Sequence, residues 1–266
     1  RSDEIDPFSD LLFNTLLIFV LLFAVALVAM NPKAKTGVSD AMADRIRERI
    51  GGDHPALVTV HNGIDPLLFA PRPQGLTLDP VVVWAGKVSP EKGPDRVLAA
   101  LRTLPHDDWT LRVVGSGWYG PAEAASPFER ELQTAAEALP GTVEFTGFLP
   151  RHNLPEVLRQ GRVFVFPTMF DEPFGLALLE AMACGLACIA SPRGGVPEFA
   201  RDAVVYADPT DPQEFGAALH RLLTDDDAAV ELGQRARRAA VDFTLSAQFE
   251  KFLAVLVGAP GSRGDR

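Results

Sequence analysis

Between residues 81 and 257 the apolar positions follow two spacings that take turns. Short apolar runs rich in β-branched residues, VVVW (81–84), LRVV (111–114), VEF (143–145), VFVF (163–166), ACIA (187–190) and VVY (204–206), each have the length of one strand buried in a sheet. Most are separated by stretches whose apolar residues recur three or four apart. Those stretches predict helices over Asp95–Leu104, Phe128–Leu139, Leu154–Gln160, Phe174–Cys184, Pro212–Leu223, Ala228–Val241 and Leu245–Val257. Strand following helix in this order implies a parallel sheet covered on both faces, a Rossmann-like, doubly wound α/β domain. Ligands of such sheets bind outside the carboxyl ends of the strands, so chemistry is to be sought in the loops that follow them.

Upstream the pattern is different. Val38–Ile50 predicts a helix opened by Ser39 or Asp40 and closed by Gly51-Gly52, and Leu57–Val60 a short strand ending at the turn HNGID. Further upstream, Leu11–Met30 is free of charge over twenty residues. At 1.5 Å per residue it would span about 30 Å of hydrocarbon, which predicts a single transmembrane helix. A buried core helix is the alternative. The four acids and one base of residues 1–10 argue against a signal peptide, and Lys33 and Lys35 put the C-terminal side in the cytoplasm. The expected organisation is a membrane segment (1–35), a linker with the remnant of an interdomain segment (36–80), the α/β domain (81–257) and a disordered tail (258–266). The expected location is the cytoplasmic face of the inner membrane, or simply the cytoplasm if the N-terminal segment is not native.

Charge and cysteine content narrow the partners. With 25 basic and 35 acidic residues the net charge is −10, and the basic residues form no stripe. Nucleic acid is therefore not an expected partner. The two cysteines, Cys184 and Cys188, lack the spacing and histidine partners of a zinc site and read as small buried residues of a reducing compartment.

Three loops carry candidate chemistry. AGKVSPEKGPDR (85–96) brings Lys87 and Lys92 beside a helix opened by Gly93-Pro94, an arrangement suited to a diphosphate, although solvated surface lysines would look the same. Gly115 and Gly117 let backbone approach a ligand closely; a plain tight turn serves equally well. In PTMFDEPFGLALLEAMACG (167–185) an acidic turn leads into a helix whose first turn contains Phe174, Gly175 and Leu176, with amides free to meet an anion, and Pro173 fits the helix start. Glu172 precedes this helix and Glu180 lies within it, about 9 Å from Phe174 along the axis. Too far apart to share a proton, the two carboxylates suit two hydroxyl-bearing sugars on either side of a diphosphate. The plainer alternatives are a dipole-favoured charge at Glu172 and a solvated helix face at Glu180.

EPFGLALLEAMACGLACIASPRGGVPE (172–198) closely resembles the signature of family 4 of the retaining glycosyltransferases, which have the GT-B fold of two facing Rossmann-like domains. GKVSPEKG (86–93), VVGSG (113–117), VEFTGFLP (143–150) and VFVFPTMFDEPFG (163–175) resemble the same family in the same order, so that the likeness covers about residues 81–256. VSDAMADRI (38–46) and VTVHNGIDPLLF (58–69) resemble the place where its first domain hands over to its second. The resemblance implies that Lys92, with Lys87 where the family usually has Arg, holds a donor diphosphate. Phe148 and Leu149 would line the base pocket. Glu172 and the backbone of Phe174, Gly175 and Leu176 would hold the transferred sugar and phosphates, and Glu180 the ribose. Lys87, Lys92 and Glu172 would be the groups closest to catalysis, with no metal or other cofactor required.

The acceptor in this fold binds mainly to an N-terminal domain, and the forty or so residues between Asn31 and Ala70 are too few for one. A separate acceptor domain, or a fusion or truncation of the chain, is therefore expected; the start at Arg1 instead of Met agrees with it. The opening DPFSDLLFNTLLIFV (6–20) faintly resembles single-helix, proton-driven stator subunits, with Asp10 as the acid at the membrane edge. Three functions compete: the donor half of a glycosyltransferase acting on an unknown acceptor, a membrane-tethered module that binds a nucleotide sugar without transfer, and a stator-like protein.

Overall fold

The computed structural model describes residues 35–37, 39–50, 57–71, 79–117 and 125–256. The predicted membrane helix Leu11–Met30, Asp10 and the tail 258–266 lie outside them. Among the described residues no helix is long and apolar enough to cross a membrane.

The burial of each strand agrees with its place in a six-stranded parallel sheet. Strands β1 (Lys35–Gly37) and β2 (Leu57–Thr59) belong to a small separate sheet; the main one comprises β3 (Val81–Ala85), β4 (Thr110–Val114), β5 (Thr142–Gly147), β6 (Val163–Phe166), β7 (Ala187–Ala190) and β8 (Val205–Tyr206). Their spatial order is β5-β4-β3-β6-β7-β8, every neighbouring pair parallel. Strands β6 and β7 are apolar at every position and buried at every position, so they sit centrally. Strand β5 alternates between half-buried and exposed residues and forms an edge. Side chains of β6 divide between two cores: Phe164 and Phe166 join one, Val163 and Val165 the other. The sheet thus buries both faces, as a doubly wound domain requires.

Among the described residues, seven helices flank this sheet or close it: α2 (Pro94–Leu101), α3 (Pro127–Glu137), α4 (Leu154–Gln160), α5 (Leu176–Ala183), α6 (Val196–Ala200), α7 (Pro212–Thr224) and α8 (Asp226–Ala240); α1 (Asp40–Ile50) and α9 (Leu245–Leu256) lie before and after them. The pattern-based helices are recovered with shifted ends. The largest shift in meaning is at α5, which begins at Leu176 and not at Phe174. Gly175 precedes it in the left-handed region at φ 100°, so Phe174 and Pro173 belong to the loop, not to a first helical turn. Helix α3 is opened by a capping box in which the Ser126 hydroxyl accepts from the Glu129 amide and the Glu129 carboxylate accepts from the Ser126 amide. Helix α6 has no counterpart in the periodicity because five residues are too few to display one.

Strand β1, also not expected, pairs in parallel with β2 across α1 and makes a small βαβ unit. The segment after β2 does more than link. Ile64 donates its amide to the Phe243 carbonyl at 3.0 Å and accepts from the Leu245 amide at 2.9 Å, and both Ile64 and Phe69 are fully buried in the core that contains Phe164 and Phe166. Arg237 Nη1 donates to the carbonyls of Phe69 and Ala183, fastening the same segment to α8. Both cysteines are free and buried, as expected. Burial pushes the Cys184 thiol up to about 12 and raises that of Cys188 as well, so neither is a thiolate near neutral pH.

Candidate functional site

The chain runs outward from β3 to β5 and then returns to β6 on the opposite side of β3. The direction of the strand order reverses there, and the loops after β3 and β6 form a crevice at the carboxyl edge. Glycines let these loops approach. A Cβ at Gly93, φ 69°, would stand 2.2 Å from the Pro167 carbonyl oxygen, and one at Gly115, φ 127°, 1.9 Å from the Gly86 carbonyl oxygen. Backbone bonds then tie the rim together: Gly86 to Val114, Val88 to Ser116, Gly115 to Gly147, and Met169 to Glu91. The Gly115 amide is therefore already engaged. The Gly117 amide is turned to Glu129: burial alone would raise that carboxyl, but the amides of Ser126 and Gly117 and the Ser126 hydroxyl outweigh it and hold it below the usual range. Both glycines shape the rim, and their amides have partners within the protein.

Lys92 and Glu172 come from opposite sides of the crevice and meet. Nζ lies 2.6 Å from the Glu172 carboxylate and 4.7 Å from the centroid of the Phe170 ring. The Lys92 carbonyl accepts from the Trp84 indole at 3.3 Å, which fixes the loop beneath the lysine. Glu172 is held in turn by the loop after β7: the Gly195 amide donates to the Glu172 carbonyl at 2.9 Å, and Gly194, φ 59°, sits so close that a Cβ would stand 2.1 Å from the same oxygen. Lys87 lies on the same rim as Lys92, and both charges act on Glu91. Its own backbone bond and the Ser89 hydroxyl hold the Glu91 carboxyl below the usual range, with the two lysines assisting.

Phe174 leaves the crevice. Its ring is buried and packs on Phe199 at 4.6 Å and on His61 at 5.8 Å, so that only its backbone faces the site. With Gly175 left-handed, the chain turns into α5, whose first amides lack intrahelical partners as at any helix start. Phe148 and Leu149 follow β5 on the rim. Phe148 is exposed, as a wall of an open pocket would be, while Leu149 packs against the core.

Glu180 is neither solvated nor on a free face. It is 4% exposed on α5, its only side-chain partner among the described residues being Arg151, whose Nη2 donates to Oε1 at 2.7 Å. Burial raises its carboxyl to about 7, against the pull of Arg151. Arg151 escaped the sequence reading, although it stands only two residues beyond Leu149; nothing in the spacing signals an ion pair across 29 residues. Glu198 was also passed over. Its carboxylate accepts from the amides of Asp40 and Ala41 at 2.7 Å each, capping α1 from another segment, and lies 3.2 Å from His61 Nε2. Between α1 and the loop after β6 opens a cleft of about 690 Å³ walled by Ser39, Met42, Arg45, Asp171 and Glu172.

The sheet order, the crevice at its reversal and the cation–carboxylate pair beside a helix N-terminus all suit a phosphorylated ligand. Comparison with known families agrees: the model described as glycosyl transferases group 1 matches residues 72–239. The chain belongs to this family. Among curated proteins, it is similar to alpha-maltose-1-phosphate synthase of Mycolicibacterium smegmatis, with 30% identity over 79% of this chain and 58% of the synthase. It is also similar to D-inositol 3-phosphate glycosyltransferase of a Mycobacterium species, with 32% identity over 75% of this chain and 45% of that enzyme. The chain spans about half the length of the curated relatives it matches. In fold it is similar to Anabaena Alr3699/HepE, solved in complex with UDP and glucose, at a TM-score of 0.75 and 22% identity, covering 85% of this chain and 63% of that one. The fold is that of one Rossmann-like half of a GT-B glycosyltransferase.

Proposed function

We propose that this chain is the donor-binding half of a retaining glycosyltransferase of family 4, which takes a nucleoside-diphosphate sugar and transfers its glycosyl group when an acceptor domain is supplied. The observation that carries the reading is the Lys92–Glu172 pair, 2.6 Å apart at the reversal of the strand order and next to the start of α5. An ammonium there meets the leaving diphosphate, helped by Lys87 and the first amides of α5, and this supplies the electrostatic stabilisation without a metal. Glu172 and the backbone of Phe174, Gly175 and Leu176 hold the transferred sugar and the phosphates, Glu180 the ribose, and Phe148 and Leu149 the base. Attack on the same face from which the diphosphate leaves keeps the anomeric configuration, with the protein contributing position and charge.

The acceptor approaches from the side of α1, where Glu172 lines the 690 Å³ cleft. Leu11–Met30 anchors this half to the cytoplasmic face of a membrane in the same reading. UDP-glucose is the first donor to test, because UDP and glucose are the ligands of the similar Anabaena protein. Calorimetric titration with UDP-glucose and GDP-mannose should give micromolar to millimolar dissociation constants for one of them, the usual range for such substrates. Absence of binding to both would sink the proposal. Release of free nucleoside diphosphate on adding acceptor extract separates transfer from a binding module that does no chemistry.

A further inference from the structure

Glu180 is more deeply buried than any other described carboxylate, on a helix otherwise made of Leu, Ala and Met. Arg151 binds its Oε1, while Oε2 has no partner among the described residues and is not among the side-chain atoms sealed from solvent. Arg151 itself lies partly at the surface. It follows Phe148-Leu149-Pro150 in a 3-10 turn (Arg151–Asn153), its side chain is half exposed, and its guanidinium carbon lies 5.8 Å from the centroid of the Phe69 ring.

We propose that Arg151 is a positioning residue of the nucleotide site, binding one oxygen of Glu180 so that the carboxylate stays charged and its other oxygen accepts the ribose hydroxyls of a nucleoside diphosphate. The inference rests on the donor reading of Glu180 given above. Its physical basis is that an ionised carboxylate keeps the oxygen not bound by Arg151 as a strong acceptor for the ribose hydroxyls, whereas a protonated one carries a hydroxyl that must itself donate. Burial already raises the Glu180 carboxyl to about 7, and Arg151 is the cation that opposes the rise. The other titratable groups nearby do not replace it. Cys184, one turn along α5, and Cys188 of β7 are neutral thiols; Arg159 of α4 and Arg237 of α8 act on Cys184, and Arg237 is bound to the carbonyls of Phe69 and Ala183. Loss of Arg151 would therefore leave the carboxyl protonated at neutral pH.

The test is calorimetric titration of the wild type, Arg151→Ala and Arg151→Lys with UDP and GDP between pH 6 and pH 9, with inorganic pyrophosphate as a ligand that has no ribose. The wild type should bind nucleotide with constant affinity above about pH 7 and more weakly below it. Arg151→Ala should bind about threefold more weakly at pH 7.5, the change in ionised fraction when a carboxyl titrating at about 7 is displaced upward by one pH unit, and recover toward pH 9. Arg151→Lys should restore most of the affinity at pH 7.5, and all three proteins should bind pyrophosphate alike. The 13C resonance of the Glu180 carboxyl should titrate at higher pH in Arg151→Ala, a readout a purely structural arginine would not move in this direction. An Arg151→Ala protein with the wild-type affinity and pH profile, or one that loses nucleotide and pyrophosphate equally at every pH, overturns the inference and leaves the donor reading standing. A wild type that binds neither nucleotide overturns both.

Discussion

The two carboxylates on either side of the start of α5 sit in opposite environments. Glu172 lies in a loop, pressed between Gly194 and Gly195, and a full cation from across the crevice reaches it at 2.6 Å. Glu180 lies eight residues on, inside an aliphatic helix, and its one side-chain partner among the described residues is a half-exposed arginine that only partly offsets burial. The first carboxylate is stabilised by its pair and in return aims the lysine at the crevice. The second is held in a place that opposes its charge. In the proposed reading, the contrast separates a carboxylate that the fold itself supports from one whose place is explained by a ligand.

The largest expected effect follows from Glu180. Its folded-state value of about 7 lies above the usual carboxylate value of 4.5, so the protonated form is favoured by folding. The stabilising contribution is complete below about pH 4.5 and is lost as the pH rises to about 7; above that the ionised group costs about 3 kcal/mol, from 1.36 kcal/mol per unit. Glu180→Gln should therefore match the wild type in stability at pH 4 and exceed it at pH 8 by up to about 3 kcal/mol, read as a rise in Tm of roughly 5–10 °C. It should at the same time bind UDP about tenfold more weakly, since a neutral amide makes weaker bonds to the ribose hydroxyls than an ionised carboxylate does. Glu172→Gln should do the reverse for stability, losing about 1–2 kcal/mol as a charge-assisted bond becomes a neutral one. If both variants move in the same direction at pH 8, the contrast between the two carboxylates fails.

Lys92→Ala comes next. It removes the cation from the crevice and leaves the Glu172 carboxylate where a diphosphate should sit, so attraction is replaced by repulsion. The loss of one charge-assisted contact predicts UDP binding about 10- to 100-fold weaker. The distinguishing feature is the ligand: pyrophosphate should lose as much affinity as UDP does, whereas Glu180→Gln should leave pyrophosphate untouched. Calorimetry with both ligands on both variants checks this, and a pyrophosphate affinity insensitive to Lys92 would move the diphosphate elsewhere.

The same contrast explains what was legible in the sequence. Strands β6 and β7 are apolar at every position, which marks them as central whatever their surroundings, and the sheet followed from such runs. Lys92 and Glu172 stood out as charges just before helix starts, and Glu180 as a lone charge within an apolar helix. Their neighbours did not. Whether Glu172 faces a cation depends on the loops after β3 and β6 meeting, a contact over 80 residues, and the Arg151–Glu180 pair spans 29. The start of α5 was placed two residues early because periodicity does not register that Gly175 turns left-handed before the helix. In the GSG loop the glycines were visible, but not that the Gly115 amide is bound to Gly147 and the Gly117 amide directed at Glu129.

The smallest effect is expected at Lys87, and it tests whether the diphosphate side of the crevice extends beyond Lys92. Lys87 and Lys92 both act on the Glu91 carboxylate, so the loop between them already carries an anion of its own. An incoming diphosphate competes with that carboxylate for the same two charges. A guanidinium at position 87 would satisfy both, because its planar fork presents more donors than an ammonium and matches a phosphate with two parallel bonds. Lys87→Arg should therefore tighten UDP and pyrophosphate by about threefold each, consistent with a partly solvated contact worth under 1 kcal/mol, and should leave the pH profile set by Glu180 unchanged. A gain for UDP without one for pyrophosphate would put position 87 on the ribose side instead, and the separation of the crevice into a diphosphate half around Glu172 and a ribose half around Glu180 would no longer hold.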